Sequence, residues 1–182
     1  MALKSTIYKA DLQVSNLNEN KFGDFSLTIA RHPSETDERM MVRILAFALH
    51  AHSSLSFGKG LSTEDEPDLW LKDLTGEVKL WIDVGQPDER RILKACGRSD
   101  EVCVYSYSGT NGVWWRQVGL KVQKARNLKV FSLPAVASLG LAKLAQRSMK
   151  LQCTIQDEQI WFSSAEQTVQ VELTGLNVHG GS

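Results

Sequence analysis

Apolar residues recur along this chain with two different periods, and the switches between them mark out its elements. STIYKADLQV and FGDFSLTIAR alternate with period two on either side of the turn-rich SNLNENK, which predicts a β-hairpin. In HPSETDERMMVRILAFALHAH the period becomes helical, and Met41, Ile44, Leu45, Ala48 and Leu49 form one stripe. Ser34 is the expected N-cap of this helix, with Glu35, Asp37 and Glu38 loading its first turn with negative charge. LSFGKGL predicts a short strand, and EPDLWLKDLTGEVKLWIDVGQP two more. QPDERRILKACGR reads as a helix starting at Pro87, and EVCVYSYS as a strand by its Val and Tyr content. VWWRQVGLKVQKA fits a helix better than a strand, LKVFSL a strand, and PAVASLGLAKLAQRSMK a helix opened by its proline. KLQCTIQDEQIWFSSAEQTVQVEL alternates as a closing meander with a turn at Gln156–Glu158, and HGGS ends the chain as a frayed tail. The interleaving predicts a mixed α/β fold: an α+β mixed sheet with flanking helices and an antiparallel start, in one domain over residues 1–182.

The pair of strands within residues 66–87 carries the acids of interest. Alternation along residues 77–84 puts Val78, Leu80, Ile82 and Val84 on a packed face, and Glu77, Lys79, Trp81 and Asp83 on the other. If Thr75-Gly76 is a two-residue tip, the numbers of paired residues sum to 151. Trp70 then faces Trp81, and Asp68 faces Asp83 on the same side of the sheet. Glu77 falls beside the turn, roughly 20 Å along the strand from Asp83, so it cannot share an ion with Asp68. Lys79 faces Lys72, a mildly unfavourable pairing. A three-residue tip would shift the register and separate the two aspartates. Opposed carboxylates repel unless a cation or a proton lies between them, and a pair of hard oxygen donors suits Mg²⁺ or Mn²⁺ rather than Zn²⁺. Glu38 stands three residues before Met41 and seven before Leu45, at the N-terminal end of the core-facing stripe. It is either a partner of the helix dipole or an acid aimed into the domain interior, where it would complete such a site.

Composition narrows the chemistry. The chain of 182 residues has zero formal charge, which argues against a protein wrapped in nucleic acid but leaves room for a local basic groove. Arg90, Arg91, Lys94 and Arg98 fall together, as do Arg116, Lys121, Lys124, Arg126 and Lys129, each group reading most simply as a solvated helix face. No apolar run of membrane-spanning length and no signal-type N-terminus occurs, so a cytoplasmic protein with no membrane partner is expected. Cys96, Cys103 and Cys153 have no metal-ligand spacing and are expected as reduced thiols in or near the core. His32, His50, His52 and His179 form no ligand pattern, and no nucleophile elbow, Walker loop or dinucleotide glycine pattern is present.

ARHPSETDERMMVR, GLSTEDEPDLWLKDLTGE and LWIDVGQPDE, with VWW further on, closely resemble the marks of the YaeQ family of small bacterial proteins over almost the whole chain. That family is similar in fold to PD-(D/E)xK nucleases, so the resemblance implies a restriction-endonuclease-like core with extra N- and C-terminal β-hairpins. It implies an acid on the first helix, Glu38, then Asp68 after Pro67, then Asp83, as ligands of Mg²⁺ or Mn²⁺. The lysine expected two positions after Asp83 is replaced by Gly85, with Gln86 or Lys94 as its stand-ins. Glu77-Val78-Lys79 copies the acid-x-lysine spelling at a place the hairpin register excludes. The expected function is a metal-dependent nuclease or phosphodiesterase in which Asp68, Asp83 and Glu38 hold the ion and Gln86 orients the nucleophile. Its plausible basic rim is Arg39, Arg43, Arg90 and Lys94. The alternative is a nuclease-like fold that binds nucleic acid or a protein partner without cutting. A third reading makes the acids parts of a purely structural hairpin.

Overall fold

The computed structural model describes residues 4–59 and 65–177, so the HGGS tail and His179 lie outside the described residues. The chain divides into two compact units, Met1–Ala51 with Val136–Glu172, and His52–Ala135 with Leu173–Ser182. Both contain mixed parallel and antiparallel sheet, so the mixed α/β fold expected is spread over two sheets, one of them formed by N- and C-terminal strands.

In the first unit β1 (Thr6–Asn16) and β2 (Lys21–Arg31) form the expected antiparallel hairpin. β1 also pairs in parallel with β8 (Ser148–Gln156), which continues antiparallel into β9 (Gln159–Ser163) and β10 (Thr168–Val171). Tyr8, Ala10, Leu12 and Val14 of β1 are buried, as are Met149, Leu151, Cys153 and Ile155 of β8, every second residue of each strand. Helix α1 (Asp37–Leu49) starts later than expected: its N-cap is Thr36, whose Oγ1 accepts from the Arg39 N–H at 3.1 Å. Ser34 instead sits in a turn, its N–H on His32 Nδ1 at 3.1 Å. Burial covers every residue of α1 from Met40 to Ala48, more than the one stripe predicted. Arg43 is among them because Glu35, itself 4% exposed, takes its Nε at 2.9 Å and also binds its Nη2. The Arg39 Nη1 reaches the same Glu35 carboxylate at 2.6 Å. The helix expected over PAVASLGLAKLAQRSMK is shorter, α4 (Ala135–Ala142), because the chain passes into β8 at Ser148.

The second unit is a sheet in the order β11-β7-β6-β5-β4-β3. Its strands are β3 (Leu55–Phe57), β4 (Leu69–Lys72), β5 (Val78–Val84), β6 (Ser99–Tyr107), β7 (Leu128–Leu133) and β11 (Thr174–Gly175). β5, β6 and β7 run parallel, joined through α2 (Glu89–Arg98) and α3 (Asn111–Val122), while β3, β4 and β11 pair antiparallel. Trp81, Val102, Val104, Leu128 and Val130 from the strands pack with Ile92, Ala95, Trp114, Val118 and Val122 from the helices in one core. Strands covered on both faces read as near-continuous apolar runs, as WIDV and VCVY do. No helix among the described residues is long and apolar enough to cross a membrane.

Candidate functional site

The β4–β5 ladder pairs Leu69 with Ile82, Trp70 with Trp81 and Leu71 with Leu80, the register whose numbers sum to 151. The route to it differs from the two-residue tip expected. The turn is wider: Asp73 N–H bonds Glu77 O at 2.9 Å, and Gly76, at φ +89°, donates to Asp73 O at 3.1 Å. A bulge between Leu71 and Lys72 absorbs the extra length, so Lys72 faces Val78 rather than Lys79. Lys79 is consequently free of Lys72 and binds Asp100 at 3.1 Å and Glu77 at 3.2 Å. The acid-x-lysine copy thus closes on itself at the start of β5, away from Asp83 at its other end.

Asp68 lies one residue before β4 and Asp83 one residue before the end of β5, and both are buried, at 3% and 2% exposure. The Asp68 Oδ2 accepts the Val84 N–H at 2.8 Å, which ties it beside Asp83. Its backbone is fixed by the Gly58 N–H on Asp68 O at 3.0 Å. Only glycine fits there, since a Cβ at Gly58 would overlap the Pro67 carbonyl oxygen. Burial pushes the Asp83 carboxyl up, and the negative charge of Asp68 adds to that, against the opposing pull of Arg91.

Arg91 is the group that sequence reasoning assigned to a solvated helix face. Its Nε meets Asp83 Oδ2 at 2.9 Å and its Nη2 meets Asp83 Oδ1 at 2.9 Å, a fork on both oxygens. The same Nη2 holds Glu66 O at 3.0 Å, joining the segment before Pro67 to the strand end. The placement follows from the helix start: Asp88 is the N-cap of α2 and its Oδ1 takes the Arg91 N–H at 2.8 Å, so Arg91 leaves the first turn over the end of β5. An Asp-x-x-Arg spelling after a strand-ending glycine was the available signal. Trp81 precedes Asp83 on the same face, and its Nε1 is buried without a hydrogen-bond partner while lying near enough to favour the charged Asp83.

The remaining predicted residues are distributed as follows. Gln86 Nε2 lies 3.2 Å from Ser108 Oγ, 2.9 Å from Thr110 Oγ1 and 3.1 Å from Asn111 Oδ1, so its amide nitrogen fastens the β6–α3 loop. A role in orienting water falls to its Oε1 alone. Lys94 binds Asp65 at 2.9 Å, an exposed pair that holds the Asp65 carboxyl below its usual range. Gly85 has φ +107° and donates to Tyr105 O at 2.9 Å, a backbone state that disfavours lysine at that position. Glu38 belongs to the first unit, in the first turn of α1, and burial pushes its carboxyl up. Among the described residues no three His, Cys, Asp or Glu side chains gather as a preformed metal centre. Asp68 and Asp83 nevertheless fit Mg²⁺ or Mn²⁺ by donor type, because such ions are commonly held by one or two carboxylates with water completing the shell.

A cavity of about 500 Å³ adjoins this strand end, lined by Trp81, Asp88, Arg90, Arg91, Lys94 and Ala95. The cysteine thiols are pushed up by burial, Cys96 to about 11 and Cys103 and Cys153 to about 12, which keeps them protonated and unreactive.

The family model for YaeQ protein matches residues 1–173. The chain belongs to the YaeQ family. YaeQ of Escherichia coli K12 and YaeQ of Salmonella typhi, both named as uncharacterized proteins, are each 46% identical to it over 175 residues, covering 96% of this chain and 97% of theirs. The crystal structure of YaeQ from Xanthomonas axonopodis pv. citri matches with a TM-score of 0.91 at 44% identity, over 94% of this chain and 98% of that one. That of YaeQ from Pseudomonas syringae matches at 0.92 and 35% identity, over 97% and 98%. These solved folds are shared by a chain with the mixed α/β architecture described above.

Proposed function

We propose that this YaeQ-family protein is a metal-dependent nuclease or phosphodiesterase of the variant PD-(D/E)xK type, acting on nucleic acid in the cytoplasm. One observation carries the reading. Two buried carboxylates, Asp68 and Asp83, adjoin each other where parallel strand β5 ends, the edge at which α/β sheets most often bind ligands. Asp68 and Asp83 would hold Mg²⁺ or Mn²⁺. A bound ion supplies a more acidic water and charge stabilisation at a phosphate. The chain's own residues do the rest. The Val84 N–H fixes the rotamer of Asp68, and the Arg91 fork fixes that of Asp83. Gln86 anchors the β6–α3 loop beside the strand end, and Arg90, with Lys94 shared with Asp65, places cationic groups on the rim that draw phosphate.

The test is nicking of supercoiled plasmid and digestion of single strands with Mg²⁺ or Mn²⁺, repeated with Asp68→Asn and Asp83→Asn. Metal-dependent cleavage lost in both variants supports the reading. Absence of both Mn²⁺ binding and a metal-induced thermal shift in the unaltered protein removes its physical basis.

A second reading is favoured by the Arg91 fork and by the φ of Gly85: a nuclease-like fold that binds nucleic acid or a protein partner without cutting it. Oligonucleotide binding that persists in EDTA and weakens on replacing Arg90 and Lys94 would select it.

A further inference from the structure

Arg91 belongs to two places at once. Its Nε and Nη2 cover both oxygens of Asp83, each at 2.9 Å, and its side chain also lines the cavity of about 500 Å³ beside α2. A guanidinium and a divalent ion on one carboxylate repel each other, strongly so where the surroundings exclude water. If Asp83 accepts a metal ion, the Arg91 fork must loosen, and the cavity is the space its side chain already borders.

That cavity offers cationic side chains to an anion. Its lining carries the cations Arg90, Arg91 and Lys94 and the acid Asp88; Arg91 is matched by Asp83 and Lys94 by the exposed Asp65, which leaves Arg90 as the cation with no acid partner among the described residues. Asp88 is already engaged, since its Oδ1 caps α2 through the Arg91 N–H at 2.8 Å. The Arg90 side chain has no hydrogen bond or ion pair among the described residues. Trp81, 2% exposed, also lines the cavity, and its buried Nε1–H makes no hydrogen bond although it lies near Asp83. α2 has ten residues, and the partial positive charge at its N-terminus adds to the field.

We infer that Arg91 is the exchangeable cation of this site, holding Asp83 until a divalent ion displaces it and then taking a phosphate oxygen of the substrate in the cavity lined by Trp81, Arg90 and Lys94. This rests on Asp68 and Asp83 binding a metal ion, as proposed above. Binding alone is involved; no bond is made or broken by Arg91.

Calorimetric titration tests the exchange without reference to cleavage, using Mn²⁺ and then inorganic phosphate on the Mn²⁺-loaded full chain. Removing the competing cation in Arg91→Gln should tighten Mn²⁺ by about tenfold, and should weaken phosphate by about tenfold, the scale of one charge-assisted hydrogen bond. Arg91→Lys retains the charge without the fork, guards against misfolding of the first variant, and should fall between it and the unaltered protein. Arg90→Gln should weaken phosphate and leave Mn²⁺ unchanged. Unchanged or weaker Mn²⁺ binding in folded Arg91→Gln, with the unaltered protein binding Mn²⁺, overturns the exchange and leaves the metal site standing. No Mn²⁺ binding in any of these proteins overturns the metal site and the exchange together. An Arg91→Gln protein that binds phosphate as well as the unaltered one overturns the anion role.

Discussion

Gly85 stands two positions after Asp83, where the resemblance to PD-(D/E)xK nucleases implies a lysine, and its backbone explains why placing a lysine there should fail. At φ +107° the residue lies where side-chain-bearing residues are strained, and its N–H is fixed on Tyr105 O at 2.9 Å, so the strand end cannot rotate away without losing that bond. A Cβ built there meets nothing within 4 Å, so the cost of substitution is conformational and not steric. Strain of this type is worth about 1–3 kcal/mol. At about 2 kcal/mol, a chain of this size loses roughly 4–8 °C in Tm. Because the cost comes from the Cβ and not from side-chain length, Gly85→Ala and Gly85→Lys should be destabilised alike. Urea unfolding followed by tryptophan fluorescence, with unchanged m-values, measures this directly. The reasoning is refuted if Gly85→Lys is as stable as the unaltered protein, or if Gly85→Ala is neutral while Gly85→Lys is not. Gly85→Lys should also gain no metal-dependent cleavage.

Two further expectations concern stability. Glu35→Ala would leave the buried Arg43 and the largely buried Arg39 without their shared carboxylate, and should cost about 3–5 kcal/mol in urea unfolding, far more than removal of an exposed acid. The Asp73 carboxyl is held at about 2, chiefly by the Thr75 hydroxyl and then by backbone N–H groups of the turn, against an ordinary value of 3.8. The folded state therefore binds fewer protons than the unfolded one between these values. The resulting stability is present above 3.8 and lost as pH falls through about 2. Thermal melts across that range should be flatter in Asp73→Asn; an unchanged slope would contradict the turn geometry.

Much of the fold was legible because its determinants are local. Alternation in STIYKADLQV and FGDFSLTIAR marked β1 and β2, and LKVFSL matched β7 residue for residue. The start of α1 was misread because Ser34 and Thr36 are both competent caps. Which one acts depends on the turn made by the Glu35 N–H on His32 O, at 2.8 Å. The parallel pairing of β1 with β8 joins residues about as far apart as Lys9 and Ser148, and no local pattern announces it.

The candidate site divides along the same line. Residue spacing alone brought Asp68 opposite Asp83 and set Glu77-Val78-Lys79 aside, because side-chain direction in a strand has period two and cannot drift. Yet that register survives only through a bulge that compensates a wider turn, which no spacing argument contained. Residue spacing also offered Glu38 as either a helix-dipole partner or a third acid, and the family resemblance added the lysine missing at Gly85. Tertiary structure alone decided what surrounds the acids: Gln86 holding a loop, Lys94 paired with Asp65, and Arg91 gripping Asp83. The physical reason is that charge has no period. A strand's pattern says which way an aspartate points, but only the packing of α2 on β5 decides which cation meets it.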